Sequence, residues 1–319
     1  MPPELSLREH DIGGLLRPAV LEHPSRASAA MQRFVLLIHG YNVTLCKAGC
    51  DYGAFADNVR ATTWWSVVTR FYWPGDANPP FGRWLAAGLR RTLSGASYML
   101  QIRTAGDAAQ RLFQWFCPDS PPTRQPEVSI VAHSLGCRLA LELLAQLAGQ
   151  RPTARPRVTK VILMAAAVPR YMVEERGRLR EAVALPQRII ALHSTADRTL
   201  NWMFRLGEAQ EYLVDAGDAL RWTARGAIGR HGLPSLSNGH NVFAWRADHG
   251  DYWPSRDIAR AVDGSLTAIL RPGTPRPDRP PERDVEPRDV VVRRTSGRSP
   301  GTRVPGGERG LCQRCGPCR

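Results

Sequence analysis

Lysine is nearly absent from this chain: Lys47 and Lys160 are the only two, although Lys and Arg together number 43 against 29 acidic residues. The formal charge of +14 is therefore carried by arginine. Such a skew reads as coding composition before it reads as a binding surface, although a basic surface would still attract phosphates or anionic lipid headgroups. No motif for reading bases is present, so no specific nucleic-acid partner is expected. An uncharged apolar run of about 18 residues is also lacking, which excludes an expected transmembrane segment. Met1 to Arg33 carries Glu4, Arg8, Glu9, His10 and Asp11 and never reaches the apolar run of a secretory leader, so the expected location is cytoplasmic. The seven cysteines are odd in number and scattered as Cys46, Cys50, Cys117, Cys137, Cys312, Cys315 and Cys318, so no obligatory disulfide framework is indicated. The last three form a CxxCxxC run without a fourth ligand, and no metal is expected there.

What the chain does contain is a series of short apolar, β-branched segments. FVLLI at Phe34 to Ile38 is a continuous run of the kind that a strand buried on both faces requires. Ser66 to Trp73, Glu127 to Ala132, Val158 to Met164, Arg188 to Leu192 and Asn241 to Trp245 are similar. Between them lie stretches of helical spacing, such as Leu135 to Ala148, where Leu139, Leu143 and Leu147 recur every fourth residue. Alternating strands and helices predict a three-layer α/β/α sandwich around a mostly parallel sheet joined by right-handed crossovers. Reactive groups in such sheets collect beyond the carboxyl ends of the strands.

Two connections are long, Gly75 to Gln125 and Asp197 to Gly239. Each holds an amphipathic piece, at Trp84 to Leu93 and Trp202 to Tyr212, which suits either a lid or a plain surface helix. After Leu270 the composition turns to Pro, Arg and Gly, with little that could form a core. The expected organisation is an N-terminal extension over residues 1–32, a catalytic domain over 33–270 and a disordered tail over 271–319.

The sharpest chemical signal is Ala132-His133-Ser134-Leu135-Gly136, set between an apolar strand and an amphipathic helix. A serine on a strained strand-to-helix turn needs small residues two before and two after it, and Ala132 and Gly136 meet that need. The following helix N-terminus offers free amides and a field that favours an oxyanion. An ordinary N-cap serine is the alternative reading. Upstream, His39-Gly40-Tyr41 follows directly on a strand. An acyl-transfer site needs two backbone donors, for which the amides of Leu135 and Tyr41 are the candidates. His39 itself reads as a side chain that fixes the loop.

Together FVLLIHGYN, FYWPGD at Phe71 to Asp76, the AHSLG turn, STADRTL at Ser194 to Leu200 and DHGDYW at Asp248 to Trp253 resemble the α/β-hydrolase superfamily. More narrowly, they resemble its bacterial esterase or lipase-like serine hydrolases. The resemblance spans about Arg33 to Leu270 and implies the α/β-hydrolase fold, Ser-His-Asp chemistry and no cofactor. It also places an acid at a strand end downstream of the serine, a position that Asp197 fits because it follows RIIALHSTA directly. The chain order Ser, acid, His leaves His231, His240 and His249 as bases. His240 lies at the amino end of its strand and His249 just beyond the carboxyl end, which selects His249 and keeps His231 in reserve. The expected activity is hydrolysis of a carboxylic ester through an acyl-enzyme on Ser134, with a small-molecule ester or lipid as substrate. The competing expectations are a lipase or phospholipase acting on aggregated lipid, and a noncatalytic binding protein on the same scaffold.

Overall fold

The computed structural model describes residues 4–7, 33–59, 68–75, 90–117, 125–201, 226–244, 246–267 and 290–292. In chain order these form strands β1 (Glu4–Ser6) and β2 (Arg33–Ile38), helix α1 (Leu45–Val59), β3 (Val68–Tyr72) and α2 (Arg90–Phe116). They continue with β4 (Glu127–His133), α3 (Leu135–Ala148), β5 (Arg157–Met164), α4 (Arg180–Ala184) and β6 (Arg188–His193). The last elements are α5 (Ile228–His231), β7 (Gly239–Ala244), α6 (Arg256–Thr267) and β8 (Val290–Val292).

All eight strands run parallel in one sheet of order β1-β3-β2-β4-β5-β6-β7-β8. The period of two along each strand sends alternate residues to opposite layers. Phe34, Leu36 and Ile38 of β2 enter one core cluster, while Val35 and Leu37 enter the other. In β6 the same division separates Ile189 and Ala191 from Ile190 and Leu192. The first layer is closed by α2, α3 and α4, with Leu139, Leu143 and Leu147 of α3 fully buried, and the second by α1 and α6. Parallel strands buried on both faces explain why these segments read as continuous apolar runs.

Two strands fall outside the expected catalytic domain. Glu4–Ser6, within the expected N-terminal extension, pairs with β3, so that extension supplies an edge of the sheet. Val290–Val292, within the tail expected to be disordered, pairs with β7. Three consecutive β-branched residues suffice for a short edge strand despite the Pro- and Arg-rich surroundings. The remainder of that tail, with Cys312, Cys315 and Cys318, lies outside the described residues, as do Trp202 to Tyr212 and residues 84–89 of the two long connections.

Cys117 and Cys137 are free thiols, whereas Cys46 and Cys50 of α1 are disulfide-bonded. The odd cysteine count excluded complete pairing but not this partial one. Among the described residues, no helix is long and apolar enough to cross a membrane.

Lys160 sits in the central strand β5, in register with Arg188 of β6. Burial, followed by the positive charges of Arg188 and Arg33, lowers its ammonium pKa to about 8. The folded protein thus binds fewer protons than the unfolded chain between about pH 8 and 10.5, and its stability rises with pH across that window. In chemical denaturation at pH 8 and pH 10, the parent should gain stability relative to Lys160→Met. A constant difference between the two proteins would contradict the burial assigned to this cation.

Candidate active site

The site is built at the carboxyl ends of β2, β4, β6 and β7, where the chain leaves the sheet in turns. Ser134 follows β4 at once and precedes α3, with φ 54° and ψ −125°. A positive φ is costly for a serine and persists only where the surroundings hold it. They do so on both sides: the Ser134 amide donates to the Met164 carbonyl (2.9 Å), and the Ser134 carbonyl accepts from the amides of Cys137 (3.0 Å) and Ala167 (3.1 Å).

The small residues around the turn have a direct steric reason. A Cβ on Gly136 would lie 2.3 Å from the His39 carbonyl oxygen and 2.9 Å from that of Ile38, both backbone atoms that cannot yield cheaply. Gly136→Ala should therefore cost about 3 kcal/mol or more of stability by overpacking. Equal denaturation midpoints for parent and variant would contradict that close approach.

Three side chains from three loops form a chain of hydrogen bonds. The Ser134 hydroxyl lies 2.7 Å from His249 Nε2, and His249 Nδ1 lies 2.8 Å from Asp197 Oδ2. A carboxylate only accepts, so Nδ1 carries the proton and Nε2 is left to accept from the serine. Asp197 follows β6 and is fully buried. Its second oxygen accepts the Leu200 amide (2.8 Å), which fixes the carboxylate plane. His249 lies in the turn after β7 and is part-exposed, with 18% of its side chain reaching solvent. The reserve base His231 ends the short helix α5, and His240 lies near the amino end of β7, in register with Ile190. Neither position is where Ser134 finds its partner.

The loop after β2 is held against the serine. A Cβ on Gly40 would come within 2.8 Å of Ser134 Cβ, so only glycine permits this approach. His39 is buried and stacked on Trp73 with ring centroids 5.6 Å apart. Its Nδ1 donates to the Gly40 carbonyl (2.9 Å), and its Nε2 accepts the Trp73 amide (3.3 Å). The Trp73 indole N–H in turn donates to the His39 carbonyl (2.8 Å), and the Asn42 amide to the Gly75 carbonyl (2.8 Å). Phe71 to Gly75 thus buttresses the loop that carries Tyr41. Leu135 is the first residue of α3, where amides have no partner within the helix.

The Cys137 thiol, three residues after the serine, is not a rival nucleophile. Cys137 is fully buried, and burial holds its pKa well above the ordinary value, which disfavours the reactive thiolate.

Two carboxyl-end residues were not singled out in the sequence as contributors. Asp248 Oδ1 accepts the amides of both His249 (2.9 Å) and Arg198 (3.3 Å), so it ties the loop of the base to the loop of the acid. His133 reaches the His249 carbonyl through Nε2 (2.9 Å). Among the described residues, no group of three or more His, Cys, Asp or Glu side chains has the arrangement of a metal site.

Residues 23–210 match a family model described as "Alpha/beta hydrolase of unknown function (DUF900)". Among solved structures, TT1662 from Thermus thermophilus is 16% identical, with 76% of this chain and 90% of that one covered and a TM-score of 0.36. The mouse alpha/beta hydrolase domain-containing protein 10 is 12% identical, with 74% and 88% covered and a TM-score of 0.35. A gene product of Listeria innocua, lin2722, is 10% identical, with 82% and 97% covered and a TM-score of 0.37. No curated protein matches the chain significantly.

Proposed function

The chain belongs to this α/β-hydrolase family, and from that premise we propose that it is a serine hydrolase cleaving carboxylic esters through an acyl-enzyme on Ser134. The observation that carries the reading is the unbroken line from Ser134 Oγ through the His249 imidazole to Asp197, with both links under 3 Å.

In this mechanism His249 Nε2 takes the serine proton as Oγ attacks the ester carbonyl, and Asp197 holds the tautomer that makes this possible. The backbone amides of Tyr41 and Leu135 are the proposed oxyanion donors, supported by the approach of the Gly40 backbone to the serine and by the helix N-terminus at Leu135. Collapse of the tetrahedral intermediate sends the proton from His249 to the leaving alcohol. Water then repeats the sequence on the acyl group and restores Ser134.

A panel of p-nitrophenyl esters of increasing acyl length tests the proposal. Saturable turnover of monomeric short esters is the expected result. A rate that rises only when the substrate forms micelles would move the reading to a lipase or phospholipase. Absence of turnover across the panel, together with no covalent adduct at Ser134, would favour a binding protein on this scaffold.

A further inference from the structure

His133 precedes the nucleophile, yet its side chain is committed to the base. Its Nε2 lies 2.9 Å from the main-chain carbonyl of His249. A carbonyl only accepts, so Nε2 carries the proton and Nδ1 presents a lone pair. That Nδ1 atom is buried without a hydrogen-bond partner and faces the Gly40 backbone, where a Cβ would stand 3.1 Å from it. Rings of His249, Tyr252 and Trp253 pack around the imidazole at centroid distances of 5.0, 5.8 and 6.1 Å. The side chain is thereby fixed in one orientation and in one tautomer.

The peptide groups flanking His249 are consequently held on both sides. His133 holds the carbonyl, and Asp248 holds the amide with the same oxygen that accepts the Arg198 amide. These anchors differ from the Ser134–His249 hydrogen bond in one respect. Once Oγ is acylated, the serine has no proton to donate, and that bond is lost for the lifetime of the acyl-enzyme. The His133 bond to the main chain involves no reacting atom and survives.

Resting on the serine-hydrolase reading, we propose that His133 is a positioning residue for deacylation, which keeps the His249 imidazole aimed at the acyl carbon while its bond to Ser134 is absent. In that step His249 Nε2 takes a proton from the attacking water as the water oxygen bonds to the acyl carbon. The same proton passes to Ser134 Oγ as the ester C–O bond breaks, releasing the carboxylic acid. A base that drifts during the acyl-enzyme stage slows this half-reaction and leaves the first nearly untouched, because Ser134 itself orients His249 during acylation.

The test is pre-steady-state hydrolysis of p-nitrophenyl acetate by the full chain, with His133→Phe, His133→Gln and His133→Asn variants. Loss of one hydrogen bond of ordinary net strength corresponds to roughly a tenfold change. His133→Phe is expected to show a stoichiometric burst of p-nitrophenolate followed by a steady-state rate down about tenfold, with KM falling alongside kcat. His133→Gln can place an amide N–H where Nε2 stood and should recover most of kcat, whereas the shorter His133→Asn should not. If the phenylalanine variant does not fold, the contrast between Gln and Asn carries the decision. Equal kcat in all three variants and the parent overturns the proposal, as does an equal loss in Gln and Asn. Failure of the parent to form any acyl-enzyme instead rejects the serine-hydrolase reading itself, so the two failures are distinct.

Discussion

Ser134→Ala should lower kcat by at least about 10⁴-fold while leaving the protein folded. The loss is large because the three side chains act as a unit: without Oγ there is no atom for the acyl group to bond, and the basicity of His249 serves nothing. The residual rate should be that of a cleft that still offers oxyanion donors to an ester attacked by water. Folding should survive because the hydroxyl is engaged by His249, whereas the unusual φ of 54° is held by backbone hydrogen bonds to Met164, Cys137 and Ala167 that alanine retains. Circular dichroism and thermal melting of the variant should match the parent within a few degrees, as expected for a change that removes one hydroxyl and keeps the Cβ. Hydrolysis within tenfold of the parent rate would remove Ser134 from the chemistry.

Asp197→Asn should cost about 10³- to 10⁴-fold in kcat, and its cause is electronic in origin although it is read through geometry. Oδ1 would still accept the Leu200 amide, so the acid loop should keep its shape. Where Oδ2 now accepts from His249 Nδ1, the amide would present an N–H. The imidazole must then turn its lone pair toward residue 197 and its proton toward Ser134, and a protonated Nε2 cannot take the serine proton. Asp197→Ala should be comparably slow but less stable, since it strips the fully buried Leu200 amide link as well. Near-parental activity in Asp197→Asn, with unchanged thermal stability, would show that the acid lies elsewhere.

The inner strands were legible in the sequence because a parallel sheet covered on both faces demands apolar residues on both sides of them. Phe34 to Ile38 and Ile189 to Leu192 have no solvent face and contain no polar residue. The edge strands escaped because that demand lapses at an edge. Glu4–Ser6 and Val290–Val292 need only three residues each and lie in polar or Pro-rich surroundings. Ser134 was legible because its turn leaves room for only small neighbours, a constraint written into residues two positions away on either side. Asp197 and His249 were candidates through the chain order that the family resemblance implies and through the strand ends they occupy, and their side chains meet Ser134 in one hydrogen-bonded line.

Other parts were hidden for a physical reason. The contacts of His133 and Asp248 run to main-chain atoms of residues distant in sequence, and a backbone carbonyl or amide has no residue identity to signal its role. Trp73 is similar: its indole N–H supports the His39 carbonyl, a pairing that only the adjacency of β2 and β3 creates. That Cys46 and Cys50 are bonded while Cys117 and Cys137 are free was likewise beyond an argument from counting, because an odd total restricts only how many thiols remain.

In the proposed mechanism the hydroxyl at 134 is made nucleophilic by the imidazole at 249. Treatment of the parent and His249→Ala with a fluorophosphonate, followed by peptide mass spectrometry, tests it most directly. A single phosphonyl adduct on the peptide containing Ser134 is expected in the parent, with at least roughly hundredfold slower labelling in the variant, on the order of the contribution of a general base. An unmodified Ser134 in the parent, or equal labelling of the two proteins, would contradict it.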